Sequence, residues 1–484
     1  MPLVHEIKRL GKHSAIYGVG GLIQRIVAVL LPPLYTRYLS PADYGAIEAL
    51  VALTAIIFAL LRAGIQSSFF RFYFRAETDP ERLTIVRTSF WFTMGASTIA
   101  LVAGEIFAPQ ISHVLYKSQE QHVDLVRAAF IGLWATMNYD QLTALFRVEE
   151  RSVSYSIASL ANVFVTIGMT VFLVVFLDQG PLGVIVGNFS GTLFVYAVLL
   201  AYRRTQLGLE FNKGVFRNMV EWGMPLVPSV IALNAIDFAD RFLLVRFKGQ
   251  HELGLYAIGM RIAAALLFVL AAFRTAWPAF AYSIREDNEA RRTYGFVLTY
   301  VTFFSAWAAL GLGLAAPWIV RLLTTPDFYD GAEVVPILSF AFVVFGAYVV
   351  VVTSIGRVGR RGSNWIITGV AAIIGVLLNL ALIPPFGMVG AAVSMLLSYF
   401  VIFLGMTWKA QRVFHVHYQW RRLGTAAGTA AGLTVVGKLV DGGLPLAVVL
   451  VAAYPVVLRF VGFYLPAERA RIGAFGRRLL PGRV

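Results

Sequence analysis

Fourteen stretches of about twenty mostly apolar residues, parted by short polar connections, run the length of this 484-residue chain. Twenty helical residues at about 1.5 Å each reach across the roughly 30 Å of hydrocarbon in a bilayer. Lipid offers no hydrogen bonds to the backbone, so such stretches read as membrane-crossing helices. They lie near 13–34, 45–66, 84–107, 123–146, 153–177, 181–202, 220–245, 253–277, 294–323, 332–354, 363–384, 387–408, 423–440 and 444–465. Composition agrees. With 58% hydrophobic and 14% charged residues and a mean hydropathy of +0.73, the chain has too little polar surface for a soluble globule. The expected fold is an all-α polytopic membrane protein.

The formal net charge of +15 would suit nucleic acid, but its placement argues otherwise. Segments before every odd-numbered run, together with the C-terminus, carry most of the Lys and Arg, among them Lys8, Arg9, Lys12, Arg203, Arg204, Lys213, Arg217, Arg357, Arg360 and Arg361. The opposite connections hold only Arg37, Lys117, Arg246, Lys248, Lys438 and the borderline Arg321. This is the positive-inside pattern, which sets both termini in the cytoplasm. The first run contains Gln24 and Arg25, ends at Pro32-Pro33 and lacks a small-residue cleavage site, so it reads as a retained helix. With no cysteine, disulfides, thiolate metal sites and cysteine nucleophiles are excluded.

The chain also repeats itself. Arg37 and Gly45 are eight residues apart, as are Arg246 and Gly254, and an acid stands two residues before each glycine, Asp43 and Glu252. That offset is 209. "RVEERSVS" at 147–154 aligns with "RVGRRGSN" at 357–364, and "GPLG" at 180–183 with "GMVG" at 387–390, at nearly the same offset. Runs one to six (1–209) and seven to twelve (210–418) therefore read as two copies of one six-helix bundle. Six being even, the copies are parallel repeats, an N-lobe and a C-lobe around a central cavity. The last two runs and a basic tail (419–484) fall outside the repeat. Between the first two runs, Pro41 and Gly45 read as a tight turn in an external hairpin.

Charges inside apolar spans are costly, about 2.5–3.5 kcal/mol on insertion scales, and so mark candidate sites. Arg25, Arg62 and Arg261 have no acid at helical spacing, and Arg274 joins them as a cation within a run. Among the acids, Asp237 and Asp240 suggest proton or sodium coupling, while Glu48, Asp237, Asp240 and Arg241 are candidates for coupling or gating. Asp237 and Arg241, four residues apart, also satisfy the spacing of a simple ion pair.

Three features carry less. "GLTVVGKL" at 432–439 has Leu439 where a phosphate loop needs Ser or Thr, so no nucleotide site is expected. The stripes Gly183/Gly187/Gly191 and Gly424/Gly428/Gly432 both read as close helix packing. His415 and His417 lack further ligands, and no metal or cofactor is expected.

The run "SAIYGVGGLIQRIVAVLLPPLYTRYLSPADYGAIEAL" and the passage "LLNLALIPPFGMVGAAVSMLLSYF" at 377–400 resemble polysaccharide-type (Wzx-like) flippases of the multidrug/oligosaccharidyl-lipid/polysaccharide exporter superfamily, with similarity also to lipid II flippases. The resemblance implies alternating-access transport of an undecaprenyl-pyrophosphate-linked oligosaccharide from inner to outer leaflet for cell-surface polysaccharide synthesis. It further implies a pyrophosphate engaged by Arg25, Arg62, Arg261 and Arg274, membrane lipids as surroundings, and polymerase and ligase machinery as partners. Arginine suits that task, since its planar fork matches phosphate oxygens and stays charged when partly dehydrated. The alternatives are a cation-coupled multidrug antiporter and a lipid II flippase. A membrane glycosyltransferase is disfavoured by short outer connections and the lack of a nucleophile and base pair, so no enzyme activity is expected.

Overall fold

The computed structural model describes residues 33–62, 64–116, 122–358, 364–440, 442–466 and 468–469. Among the described residues there is no strand, only helix and short connections. After a helical segment at 33–38 come α1 (Pro41–Arg62), α2 (Ile65–Arg75), α3 (Asp79–Ile106), α4 (Ala108–Tyr116), α5 (Val123–Val148), α6 (Ser152–Val171) and α7 (Gly180–Leu207). Next follow α8 (Lys213–Gly223), α9 (Val227–Lys248), α10 (Gln250–Ala263), α11 (Ala265–Ser283), α12 (Asp287–Leu323) and α13 (Val335–Arg357). The chain continues with α14 (Asn364–Val413), α15 (Trp420–Leu439) and α16 (Gly443–Phe460). From 45–66 onward every predicted run carries helix, whereas 13–34 lies almost wholly outside the described residues. Among the described residues, nine helical stretches are long and apolar enough to cross a membrane.

The helix starts follow from local chemistry. Ser40 and Asp43 form a reciprocal cap at α1. The Asp43 carboxylate accepts from the Ser40 N–H at 3.0 Å and hydroxyl at 2.7 Å, and the Asp43 N–H donates back to Ser40 Oγ at 3.2 Å. Pro41 takes the first helical position, where its missing N–H costs nothing. This corrects the turn expected at 41–45. A proline restrains the residue before it, Ser40, so the helix begins at Pro41 and Gly45 sits inside it. Thr78 caps α3 and Asn212 caps α8 by accepting from Glu81 and Val215 N–H groups.

Two glycines of the repeated Gly-x-x-Gly segments behave alike. Gly180, the first residue of α7, has φ 53°, and Gly387, inside α14, has φ 55°. Left-handed backbone there favours glycine. At Gly387 α14 divides into two arms, as the separate runs 363–384 and 387–408 require.

The described chain gathers into two compact units, one from Met1–Ile258, Leu323–Asp330 and Thr368–Ser394, the other from Gly259–Leu322, Gly331–Ile367 and Met395–Val484. In the first, α3 and α5 are joined by hydrogen bonds from Trp134 Nε1 to Thr98, Asn138 Nδ2 to Ser97 and Gln141 Nε2 to Ser89, at 2.9–3.1 Å. Such bonds stand in for the hydrophobic drive that lipid removes. The stripe on α7 packs as expected. A Cβ on Gly187 would lie 2.3 Å from Thr170 Oγ1, and one on Gly191 2.2 Å from the Asn162 carbonyl oxygen of α6. The stripe on α15 does not, for among the described residues a Cβ at Gly424, Gly428 or Gly432 meets nothing within 4 Å.

In the second unit, α12, α15 and α16 are tied by Trp307 Nε1 donating to Val451 O at 2.8 Å and Tyr454 Oη to Ala426 O at 3.1 Å. Beyond α16 the chain is clasped by Glu468. Its carboxylate lies 2.8 Å from Arg422 Nη2 and accepts from Tyr300 Oη at 2.6 Å and the Leu465 N–H at 2.9 Å. Burial alone would raise that carboxyl, but these three donors outweigh it and hold it below the ordinary glutamate range.

Candidate functional site

The first unit carries two charged clusters on α1, one near each end. At the Pro41 end α1 meets α10 through glycines. A Cβ on Gly45 would stand 1.8 Å from the Gln250 carbonyl oxygen, and one on Gly254 1.9 Å from the Pro41 carbonyl oxygen. Each glycine thus admits the carbonyl lying four residues before the other. Any side chain at either position would force the helices apart. The two glycines are the pair singled out by the 209-residue offset.

Other contacts brace this end. Tyr116 Oη donates to Ala46 O at 2.7 Å, Thr325 Oγ1 donates to Thr36 O at 2.9 Å, and Tyr44 meets Phe328 edge-on at 6.1 Å. His122 lies 4.6 Å from the Tyr116 ring. Burial holds its imidazole below the ordinary range, against the opposing pull of the Asp43 charge and a hydrogen bond with Gln250. Glu252, the repeat partner of Asp43, reaches across to accept the Met388 N–H at 2.7 Å.

Two helical turns into α1 the buried Glu48 carboxylate pairs with Arg241 of α9 at 3.0 Å. Beside it, Asp240, 1% exposed, accepts from the Arg241 N–H at 2.7 Å and from the Tyr256 hydroxyl. Three of the four predicted coupling or gating residues therefore form one buried cluster with Tyr256. The described partner of Arg241 comes from another helix, while the side chain of Asp237 lies outside the described residues.

The second cluster sits fourteen residues along α1, about 21 Å away at helical rise. Here Arg62 Nη2 pairs with Asp140 of α5 at 2.7 Å, and its guanidinium stands 4.3 Å from the Phe58 ring centre. Both side chains keep about 30% exposure, so the pair is held but still open to a competing anion. Just beyond, α1 ends at a second close approach, where a Cβ on Gly64, with φ 69°, would lie 2.3 Å from the Gly223 carbonyl oxygen. Ser68 Oγ donates to Met219 O at 2.6 Å across the same α2–α8 contact.

The remaining predicted residues divide. Arg25 lies outside the described residues. Arg261, on α10, and Arg274, on α11, belong to the second unit. Arg261 is half-buried and engaged, whereas Arg274 is exposed, its guanidinium 5.1 Å from the Phe345 ring centre. Sequence spacing did not link Asp140 to Arg62, because their pairing is tertiary. It passed over Tyr256 altogether.

Among the described residues no group of three or more His, Asp or Glu is arranged to hold a metal ion. Residues 34–332, well over half the chain, match the family model described as "Polysaccharide biosynthesis protein". The chain belongs to this family. It is 21% identical over 419 residues to an uncharacterised membrane protein of Methanocaldococcus jannaschii, covering 79% of this chain and 80% of that one. It is 23% identical over 227 residues to a probable low-salt glycan biosynthesis flippase of Haloferax volcanii, covering 46% of each.

Among solved structures the fold matches the lipid II flippase MurJ in an inward closed conformation. The TM-score is 0.73 at 11% identity, over 93% of this chain and 100% of that one. It also matches an inward-facing multidrug resistance transporter of the MATE family, of the MOP superfamily, with a TM-score of 0.69 at 14% identity, over 84% of this chain and 96% of that one. The chain is therefore a multi-pass membrane protein with the fold of these transporters.

Proposed function

We propose that the protein is a flippase that carries an undecaprenyl-pyrophosphate-linked oligosaccharide from the inner to the outer leaflet of a bacterial cytoplasmic membrane, by alternating access, for cell-surface polysaccharide assembly. The observation that carries this reading is the contrast along α1. Its Pro41 end is shut by Gly45, Gly254 and the Glu48–Arg241 pair, while Arg62 stands partly exposed at the other end. With both termini cytoplasmic, the shut end is the outer gate and Arg62 faces substrate arriving from inside. Arg25, Arg261 and Arg274 are the further arginines proposed to meet the pyrophosphate. In this reading 1–209 and 210–418 are the two rocking lobes, and 419–484 is an appended pair of helices with its basic tail.

The electrical work runs the right way. A headgroup carrying two negative charges is driven outward by about 2.3 kcal/mol per charge at an inside-negative potential of about 100 mV. Asp240, beside the gate, is the described residue best placed to add proton or sodium coupling. Polymerase and ligase machinery would act on the delivered glycan.

The test is leaflet translocation of a fluorescent undecaprenyl-pyrophosphate oligosaccharide in proteoliposomes, comparing the intact chain with Arg62→Ala and Arg261→Ala. Flipping by the intact chain, lost in folded arginine variants, is the expected result. Failure to flip, together with cation-driven export of a cationic dye, would replace this reading with a drug antiporter. Movement of lipid II alone would point to peptidoglycan precursor.

A further inference from the structure

The second unit holds a feature of which the cationic reading uses only Arg274. Arg274 is exposed on α11, and the wall beside it is aromatic. Its guanidinium lies 5.1 Å from the centre of Phe345 on α13. Phe345 in turn sits 5.9 Å from Tyr348 at an interplanar angle of 31°, and 5.2 Å from Tyr399 on the second arm of α14 at 46°. The group is held rigidly, because Gly346 lets α13 approach α11 until a Cβ there would lie 2.9 Å from Leu270 Cδ2. Phe345 and Tyr348 remain half-buried, while Tyr399 is 4% exposed and serves as backing.

We infer that Phe345 and Tyr348 form a stacking shelf for a sugar ring of the carried glycan, with Arg274 as the cationic anchor at its edge. This rests on the flippase reading above and adds to it the part of the substrate that this wall meets. The chemistry is specific to a sugar next to a phosphate. One face of a pyranose presents several C–H groups with partial positive charge, which suit the negative face of an aromatic ring. A phosphate attached to that sugar would lie within reach of a guanidinium whose charge persists in a partly dry site. An acyl chain needs no cation, and a free phosphate needs no aromatic wall. A few polar groups converging on an apolar, aromatic surface is the usual build of a small-molecule site.

The experiment uses the full chain in nanodiscs and two probes: a short-chain polyprenyl pyrophosphate without sugar, and the same lipid bearing single glucose, galactose or N-acetylglucosamine headgroups. Calorimetry measures binding of each. The intact chain is expected to hold at least one sugar-bearing probe tenfold or more tighter than the bare lipid. Phe345→Leu should abolish that preference while leaving bare-lipid affinity within twofold, Phe345→Tyr should restore it, and Arg274→Gln should weaken both classes. Retained bare-lipid binding shows that the Phe345 variants are folded, and an unchanged thermal midpoint shows it for Arg274→Gln. If the intact chain binds all probes equally, or Phe345→Leu keeps the preference, the shelf is overturned and the flippase reading stands. If it binds neither class, both fall.

Discussion

Gly45 of α1 and Gly254 of α10 are packed reciprocally, each against the carbonyl oxygen that lies four residues before the other. A methyl group at either site has no room, and overpacking of this kind typically costs about 1–3 kcal/mol. Gly45→Ala should therefore shift the protein toward a state open at the Pro41 end by on the order of tenfold. Because the chain has no cysteine, Leu253→Cys, buried at this end, gives a clean reporter. Its maleimide labelling should rise in the Gly45→Ala background, and unchanged labelling would count against a gate here.

Glu48 and Arg241 should behave as one unit. Removing either partner leaves a buried charge, a loss of about 3–5 kcal/mol for such pairs. Glu48→Ala and Arg241→Ala should each lower the thermal midpoint in detergent markedly. The exchanged pair Glu48→Arg with Arg241→Glu should recover part of it, and additive losses in the exchange would show that the two do not interact.

Arg62 is partly spent on Asp140. Asp140→Asn should free the guanidinium and tighten binding of a polyprenyl pyrophosphate probe, at a stability cost of about 2 kcal/mol for the weakened charged hydrogen bond. Arg62→Ala should weaken the same binding. Equal affinity in both variants would remove Arg62 from the pyrophosphate site.

The two glycine stripes should now part company. Gly187→Ala presses on Thr170 and should destabilise the α6–α7 pair by about 1–3 kcal/mol. Gly428→Ala meets only open space among the described residues and should be neutral or mildly stabilising, since alanine favours helix over glycine by about 1 kcal/mol. Thermal midpoints of the two variants decide the matter.

The Glu468 clasp predicts a pH effect. Its carboxyl is held below the ordinary range by Tyr300, Leu465 and Arg422, so the stability it contributes is present above the unfolded glutamate range and is lost as pH falls through the lower folded value. Hydrogen-exchange protection in the segment around Leu465, taken relative to the intrinsic rate at each pH, should be high near pH 7 and fall in acid. In Glu468→Gln that protection should be low throughout and should not change with pH over that window.

Helices, and the membrane they cross, were legible because hydrophobic run length is a local signal. The offset linking Gly45 to Gly254 pointed at two residues that meet, although Gly45 alone reads as a turn glycine until Ser40 and Asp43 are recognised as a cap. What the sequence hid was tertiary pairing. Asp140 lies 78 residues from Arg62, and Glu48 193 from Arg241. No spacing rule connects them, whereas Asp237 and Arg241 satisfy a spacing rule and drew attention for that reason. The aromatic wall at Phe345 was hidden for a different cause, since aromatics in a membrane chain are common and only packing distinguishes a shelf from a lipid anchor.

The Glu252 carboxylate that accepts the Met388 N–H holds the bend at Gly387, and a Cβ on that glycine would lie 1.8 Å from Glu252 Oε1. Helix-joining tips usually tolerate changes of length, and protein engineers place tags and epitopes in them. Here the tip is a fitted part. Affinity tags, fluorescent fusions and nanobody epitopes inserted between Phe386 and Met388 would unseat α10 along with the bend, so this otherwise inviting connection is the one to leave untouched.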